Sequence, residues 1–318
     1  MNTGSLPLSI IICTHNPRKD FLARTLASLR AQTLPVAEWE LIVVDNASSE
    51  AVASDAAHAG HLSGRVVTES EVGLTAARLR GIAEAHGDLL VFVDDDNILA
   101  PDYLARASEL SAAWPMLGIW GCGSYTPEWE VAPPPGYDEY IRYLAVHRAP
   151  RDYWSKQPFD YEAMPAGAGL CARAVVARRY ADNVRNDPRR KLLGRTGSNL
   201  AGCEDFDLAL TATDLGLGTG VFTALAMIHL MPRSRVEENY LLRLIEGHTC
   251  STVLLHKLRN PGFKPARCGL LARIHEFRLR RSLKPVALKI HDARRRGERR
   301  AWAALLPTLR RPSHEPSP

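Results

Sequence analysis

Three consecutive carboxylates end the apolar segment LLVFVDDDN, which covers residues 89–97. Its five apolar residues are too few for a helix and rich in β-branched and aromatic types, so they predict an interior strand. Asp94 and Asp96 would share one face, because alternate residues of an extended chain point the same way. Oxygen ligands favour a hard cation such as Mg²⁺ or Mn²⁺, which often bridges phosphates. The segment therefore predicts a metal site, with a solvated acidic turn as the alternative.

Other charged residues stand where a functional site could form. Asp45 ends a second apolar run, where it could accept hydrogen bonds from a nucleobase or ribose, or simply from a turn. Arg78 lies in a helical stretch before the acidic strand, where it could face phosphates or solvent. Glu204 and Asp205 open another helical stretch, so they could favour its N-terminus or supply a general base.

The order of the elements indicates how these residues are brought together. Apolar runs at 9–13, 41–44, 66–67 and 89–93 predict strands, and residues 20–32 and 75–86 have helical spacing, with Gly87 as the expected cap of the second helix. This order predicts an α/β domain with a largely parallel sheet. Ligands of such sheets bind beyond the carboxyl ends of the strands, which here carry Thr14, Asn16, Asp45 and the acidic triplet.

The second half of the chain has fewer elements that the pattern predicts. Residues 204–215 predict a helix, residues 222–230 a strand ending near His229, and the chain beyond Arg233 is helical. Residues 120–140 contain three consecutive prolines and a glycine, and we expect them to form a lid.

Composition and charge restrict the class of protein. The chain has 318 residues, of which 46% are hydrophobic and 24% charged, as in soluble globular proteins. Its first residues lack the basic start of a signal peptide, and no apolar run approaches the roughly 20 residues that span a bilayer, so we expect a cytoplasmic protein.

The basic residues are concentrated in the tail. From His256 to the end there are 17 Lys and Arg against 4 Asp and Glu, a net charge of +13, whereas the remaining chain carries −8. This asymmetry argues against a nucleic-acid partner for the core. A basic amphipathic tail is typical of segments that lie on an anionic membrane surface. A solvated helix packed on the rest of the protein is the alternative.

Taken together, the motifs resemble those of the family 2 glycosyltransferases, which have a GT-A fold that binds nucleotide-diphospho-sugars. The resemblance runs from about Leu8 to Gly247. It includes the first strand and turn SIIICTHNPRKD, the second strand ELIVVDNASSE, and the helix and acidic motif VGLTAARLRGIAEAHGDLLVFVDDDN. GCEDFDLAL is similar to the family's Glu-Asp motif, and MPAGAGL to its Gly-rich segment. Leu79 departs from the pattern, which has asparagine at that position.

The resemblance implies a role for each candidate residue. Asp205 would be the catalytic base, with Glu204 as its neighbour. The donor nucleotide and its diphosphate would be bound by Thr14, Asn16, Asp45, Arg78, Asp94 and Asp95. A divalent metal, Mn²⁺ or Mg²⁺, would be held by Asp94, Asp96 and His229. The acceptor side would be lined by Gly167 and Gly169.

The function implied is metal-dependent, inverting transfer of a sugar from a nucleotide-diphospho donor to an acceptor hydroxyl. The acceptor would be a saccharide or lipid-linked saccharide, as in the synthesis of cell-surface polysaccharide or glycoconjugate, at the inner face of the membrane. We expect a GT-A catalytic domain over residues 1–235, with a donor half over about 1–115 and an acceptor half over about 116–235. A helical basic extension would follow over 236–318.

Two other functions stay open at this point. A nucleotidyltransferase also uses paired aspartates and Mg²⁺, but it normally has a Gly-rich loop after the first strand, and CTHNPRKD has no glycine. A non-catalytic protein could keep the same fold to bind nucleotide-sugars or act as a scaffold.

Overall fold

The computed structural model describes residues 7–141, 143–264 and 270–309. In that part of the chain nine strands form one sheet: β1 (Leu8–Thr14), β2 (Trp39–Asn46), β3 (Arg65–Glu69), β4 (Leu89–Asp94), β5 (Asn97–Leu99), β6 (Leu117–Trp129), β7 (Tyr153–Ser155), β8 (Leu170–Arg173) and β9 (Gly218–Met231). The helices are α1 (Lys19–Arg30), α2 (Leu74–Glu84), α3 (Tyr103–Ala113), α4 (Asp138–Ile141), α5 (Ala174–Asn186), α6 (Glu204–Asp214), α7 (Glu238–Arg259), α8 (Leu270–Ser282) and α9 (Pro285–Leu309).

The sheet is mostly parallel, as the order of elements predicts. Strands β3, β2, β1 and β4 lie side by side and run the same way. The antiparallel strand β8 joins β4 to β6, and β9 runs parallel to β6. In the register, Thr14 pairs with Asp45 and Cys13 with Asp94, so the polar ends of three strands lie at one edge of the sheet.

Both faces of the sheet are buried, because successive apolar residues of its central strands point to opposite faces. Ile11 and Phe92 belong to a core that includes residues of α2, α5 and α6. Ile10, Ile12 and Val91 belong to a second core with residues of α1 and α3. Because both faces are covered by helices, the central strands read as continuous apolar runs.

Two details differ from the expectations. Gly87 does not cap α2, which ends at Glu84. A Cβ on Gly87 would instead lie 2.6 Å from the backbone carbon of Leu8, so the glycine permits a close approach to the start of β1. The predicted lid is wrong in its first half, since residues 120–129 belong to β6, where Trp120 is fully buried.

The C-terminal helices pack on the rest of the molecule to different extents. α9 lies against α7, with Ala293 and Ala301 fully buried. A Cβ on Gly297 would come within 2.4 Å of the carbonyl oxygen of Glu246, so this glycine allows the two helices to approach closely. No helix in the described ranges is long and apolar enough to cross a membrane.

Candidate functional site

A pocket of about 710 Å³ lies beyond the carboxyl ends of β1 and β4. Its other walls come from the start of α2, the segment before β8, the α5–α6 connection and the start of α6, with further residues from α7 and α9. The charged and imidazole side chains that line it are Asp94, Asp95, Asp96, Glu204, Asp205, Arg78, Arg195, Arg235, Arg294, His15, His229 and His248.

The acidic triplet forms part of the pocket wall and is largely withdrawn from water. Burial and the charge of Asp96 raise the pKa of Asp94. The same two causes raise the pKa of Asp95 to about 7, although its carboxylate accepts a hydrogen bond from the hydroxyl of Thr14. Burial also acts to raise the pKa of Asp96, but His229 and Arg235 lower it below its ordinary value. The triplet is therefore incompletely neutralised by the protein's own groups.

Two of the three predicted metal ligands are adjacent. Because Asn97 of β5 pairs with His229 of β9, the imidazole Nε2 lies 3.5 Å from Oδ1 of Asp96. The other ring nitrogen, Nδ1, is buried and has no hydrogen-bond partner among the described residues. Among the described residues, no group of three or more His, Cys, Asp and Glu side chains is arranged to hold a metal. The two adjacent residues fit a divalent cation that takes its remaining ligands from substrate and water.

A buried ion pair joins α2 to the start of α6 at the pocket wall. Nη1 of Arg78 lies 3.2 Å from Oε1 of Glu204, and both side chains are almost fully buried. Burial raises the pKa of Glu204 to about 7, against the opposing effect of Arg78. A Cβ on Gly167 would lie 2.3 Å from Nη2 of Arg78, so glycine is required where the guanidinium passes. Glu204 therefore positions Arg78 beneath the pocket.

Asp205 is held at the pocket wall by two backbone groups. The N–H of Gly167 donates to its Oδ2 over 2.8 Å, and the N–H of Phe206 donates to its Oδ1, also over 2.8 Å. These bonds fix the carboxylate at the start of α6, on the pocket wall that Gly167 also lines. A carboxylate held in this way can accept a proton from a hydroxyl brought into the pocket.

Three of the predicted site residues do not line the pocket. The carboxylate of Asp45 accepts hydrogen bonds from the N–H groups of Ser48 and Val52, which lower its pKa although burial acts to raise it. The side chain of Asn16 accepts hydrogen bonds from Ser49. Gly169 has φ +70°, and its carbonyl accepts a hydrogen bond from the hydroxyl of Tyr103. In this arrangement Asp45 and Asn16 order the loops at the pocket rim.

Residues 9–121 match the sequence profile of glycosyl transferase family 2. The match is confined to this segment, over which the chain is similar to that family. The segment contains Thr14, Asp45, Arg78 and the acidic triplet, and it ends before Asp205. The similarity therefore covers the strand ends that build one wall of the pocket.

Two relatives from Bacillus subtilis (strain 168) match a similar portion. YwdF, an uncharacterized glycosyltransferase, is 32% identical over 109 residues, which are 34% of this chain and 40% of YwdF. EpsH, which is named as a glycosyltransferase, is 31% identical over 98 residues, which are 30% of this chain and 28% of EpsH. The matched portion is therefore less than half of each relative's length.

The fold extends beyond the matched segment. The mannosyltransferase PcManGT from Pyrobaculum calidifontis, whose structure contains GDP-Man and Mn²⁺, is 18% identical to this chain with a TM-score of 0.51. The likeness covers 98% of this chain and 77% of that one. At this identity it concerns the fold alone, which is of the GT-A type.

Among the charged and imidazole residues that line the pocket, Arg195, Arg235, His248 and Arg294 were not found by sequence reasoning. Arg195 lies in the α5–α6 connection, Arg235 follows β9, and His248 and Arg294 lie on α7 and α9. Arg195 lies in a segment for which no element is predicted, and His248 and Arg294 lie in helices predicted as part of an extension. No periodicity or motif marks them, because they meet the strand ends only after long-range packing.

Proposed function

We propose that this chain is a glycosyltransferase that moves a sugar from a nucleotide-diphospho donor to an acceptor hydroxyl. The observation that carries the proposal is the meeting of two groups in one pocket: the acidic triplet at the end of β4, and Asp205 at the start of α6. The first suits a cation and a diphosphate, and the second suits a general base. These are the two requirements of direct displacement at an anomeric carbon.

The donor side would be formed by the strand ends and α2. Asp96 and His229, with Asp94 as the third ligand, would hold Mn²⁺ or Mg²⁺, and the bound cation would offset the negative charge of the diphosphate. Thr14 and Asp95 would contact the donor directly, and Arg78 would act from beneath it. Asp45 and Asn16 would order the rim that receives the base and ribose, and they could turn toward a bound nucleotide.

The acceptor side would be formed by Asp205 and the Gly-rich segment before β8. Asp205 would take the proton of the acceptor hydroxyl while its oxygen bonds to the anomeric carbon and the bond from that carbon to the diphosphate oxygen breaks. Direct displacement by one nucleophile inverts the configuration at that carbon. Gly167 fixes the base through its N–H group, and Gly169 bonds to Tyr103 behind it. General-base assistance contributes roughly 10²–10⁴-fold to the rate.

The residues that form the pocket extend past the predicted domain boundary at residue 235. Leu244 and His248 of α7 and Arg294 of α9 line the pocket together with the strand ends. We therefore propose that residues 1–235 carry the chemistry, while α7 and α9 complete the pocket wall rather than forming an independent unit.

The basic tail would associate with the anionic inner face of a membrane through α8. Ile274 and Phe277 are 41% and 59% exposed, and with Arg278 and Arg281 they lie on one helical face. The opposite face contacts α9 through Glu276–His291 and Arg280–Asp292 pairs. A lipid-linked saccharide of a cell-surface polysaccharide or glycoconjugate would then be delivered near Arg294, two residues after Asp292 and at the pocket wall.

Sedimentation with lipid vesicles tests this membrane association. We expect the protein to bind phosphatidylglycerol vesicles at low salt and to bind phosphatidylcholine vesicles weakly. Phe277→Ser together with Ile274→Ser should abolish binding, whereas Trp154→Ser, which changes an exposed aromatic on β7, should leave it intact. Equal binding of the double variant and the wild type would exclude α8 as the contact.

Hydrolysis of nucleotide-sugars tests the proposed activity without knowledge of the acceptor. The protein is incubated with UDP-, GDP- and dTDP-sugars, with Mn²⁺ or with EDTA, and release of the nucleoside diphosphate is measured. We expect slow release from one donor class that depends on the metal. Release of pyrophosphate from a sugar phosphate and a nucleoside triphosphate would favour a nucleotidyltransferase. No turnover of any donor would favour a non-catalytic binding protein.

A further inference from the structure

Arg195 differs from the other arginines of the pocket, because in the described part of the chain its side chain has no hydrogen-bond or ion-pair partner. Within the described residues, Arg78 pairs with Glu204, Arg235 with Asp96, and the guanidinium of Arg294 donates to the hydroxyl of Tyr143. The side chain of Arg195 lines the same pocket and makes no hydrogen bond or ion pair with any part of the chain that is described. Its positive charge is therefore available to an incoming anion.

The surroundings of Arg195 are acidic. Its charge acts to lower the pKa of Asp94, Asp96 and Glu204, so its field reaches both the acidic triplet and the start of α6. A guanidinium in such surroundings normally forms an ion pair, since a half-buried charge is costly without one. Among the described residues no carboxylate forms an ion pair with Arg195, so its charge is left for a ligand.

The backbone around Arg195 is fixed from three sides. Its carbonyl accepts a hydrogen bond of 2.9 Å from the N–H of Leu74, at the start of α2. The next residues form a tight turn in which Thr196 and Asn199 exchange backbone hydrogen bonds and Gly197 has φ +53°. This turn is anchored to α7, since Arg243 donates to the carbonyl of Ser198 over 2.8 Å.

The third anchor comes from the C-terminal helix. Arg300 of α9 donates a hydrogen bond to the side-chain oxygen of Asn199. The turn is therefore held by α2, α7 and α9 together, and it presents Arg195 at the pocket wall. A guanidinium placed in advance loses less conformational freedom when it binds a phosphate in a bidentate manner.

We propose that Arg195 binds the diphosphate of the donor and stabilises it as the leaving group. This inference rests on the proposed function and adds a residue from outside the segment that matches the family. As the bond to the anomeric carbon breaks, the electron pair passes to the diphosphate oxygen, and Arg195 offsets the charge that develops there. The α5–α6 connection would thus contribute a residue to the donor site beside the end of β4.

Calorimetric titration of nucleotides into Arg195 variants tests the inference. The wild type, Arg195→Ala and Arg195→Lys are titrated with UDP, UMP, GDP and GMP in the presence of Mn²⁺. Arg195→Ala should raise the Kd of the preferred diphosphate about 10- to 100-fold and that of its monophosphate much less, because a charge-assisted bidentate contact is lost. Arg195→Lys should bind more tightly than Arg195→Ala but less tightly than the wild type, since lysine keeps the charge and lacks the paired N–H donors of the guanidinium.

The matched control is Arg189→Ala, which changes an arginine in the same connection that pairs with Asp187 outside the pocket. It should bind every nucleotide as the wild type does. Equal loss of mono- and diphosphate binding in Arg195→Ala would indicate a disturbed loop and overturn the inference, as would wild-type affinity for the diphosphate. If the wild type itself binds no nucleoside diphosphate, the proposed function fails, and the inference fails with it.

Discussion

The two edges of the parallel sheet treat buried carboxylates in opposite ways. At the amino edge, Glu40 near the start of β2 accepts hydrogen bonds from the hydroxyl of Ser9, the N–H of His86 and the guanidinium of Arg65, each between 2.6 and 2.7 Å. Burial acts to raise the pKa of Glu40, but these partners lower it to about 2. The protein thus satisfies this carboxylate completely, as expected of a structural role.

At the carboxyl edge, Asp94 and Asp95 are not neutralised in this way by the described residues. The pKa of Asp94 is raised, and that of Asp95 is raised to about 7, because burial and neighbouring acids outweigh the partners available. The difference teaches that burial alone does not separate structural from functional acids. What separates them is whether the chain supplies its own neutralising groups.

Helix α6 repeats this contrast within one turn. Asp207 is fully buried and pairs with Arg190 and Arg259 at 2.6–2.8 Å, so it ties α6 to the preceding connection and to α7. Asp205, two residues earlier, lines the pocket, and in the described ranges its carboxylate accepts hydrogen bonds from backbone N–H groups alone. The first acid is structural, and the second is proposed as the base.

The largest expected effect is on catalysis at Asp205. Asp205→Asn should lower the rate of sugar transfer by roughly 10²–10⁴-fold, since the amide cannot accept the acceptor's proton. Nucleotide affinity should stay near that of the wild type, because the donor is held elsewhere. The control is Asp214→Asn at the other end of α6, which is exposed and should transfer normally. Retained turnover in Asp205→Asn would remove it from the role of base.

The next effect is on stability at Asp207. Asp207→Asn should lower the free energy of unfolding by about 3–5 kcal/mol, because two arginines lose their buried counter-charge. Urea denaturation measures this loss. A change below about 1 kcal/mol would contradict the structural role assigned to Asp207.

A smaller effect, dependent on pH, is expected at Glu40. Its folded-state pKa of about 2 lies below the ordinary 4.5, so its contribution to stability is present above pH 4.5 and is lost as the pH falls toward 2. Glu40→Gln should therefore cost about 2 kcal/mol at pH 7, and the gap to wild type should narrow below pH 4.5. Urea denaturation at pH 7, 5 and 3.5 checks this, and a gap that widens in acid would refute it.

The smallest effect has the opposite sign. In EDTA at pH 8, Asp95→Asn should raise the free energy of unfolding by about 1 kcal/mol, because one of three crowded charges is removed. The gain should shrink toward pH 4, where Asp95 is protonated in the folded protein, since its pKa there is about 7. Asp88→Asn, an exposed acid before the same strand, should change little. Destabilisation by Asp95→Asn would mean that this edge is structural too.

Much of the fold could be predicted because its central elements are local patterns. The predicted strands at 9–13, 41–44, 66–67 and 89–93 all fall within β1–β4, and the helix predicted over 204–215 matches α6, which ends at Asp214. Apolar runs and helical spacing suffice for such elements, and the strand ends then place the acidic triplet at the ligand edge. The lid prediction failed because β6 contains Gly and polar residues and so lacks the alternation of apolar and polar residues that marks a strand in a sequence.

The site was predictable only where residues follow such strands or open a helix. Asp96 and His229 came together through β5–β9 pairing, which the sequence does not reveal, although each stands beside a predicted strand end. Arg195 could not be found, because its position depends on contacts with α2, α7 and α9. Asp45 is the reverse case: it stands near the end of β2 as expected, but N–H groups of the following loop donate to both of its carboxylate oxygens, so its role toward the donor stays a prediction.

The central claim is that the acidic triplet at the carboxyl edge, in which Asp94 and Asp95 are left unsatisfied, binds a cation together with a nucleoside diphosphate. Calorimetric titration of UDP, GDP and dTDP with Mn²⁺ and with EDTA tests it most directly, in the wild type and in Asp96→Asn. We expect one nucleoside diphosphate to bind the wild type, with an affinity that falls at least tenfold in EDTA or in Asp96→Asn. Binding that is equally tight with and without the metal, or absent for all three nucleotides, would contradict the claim.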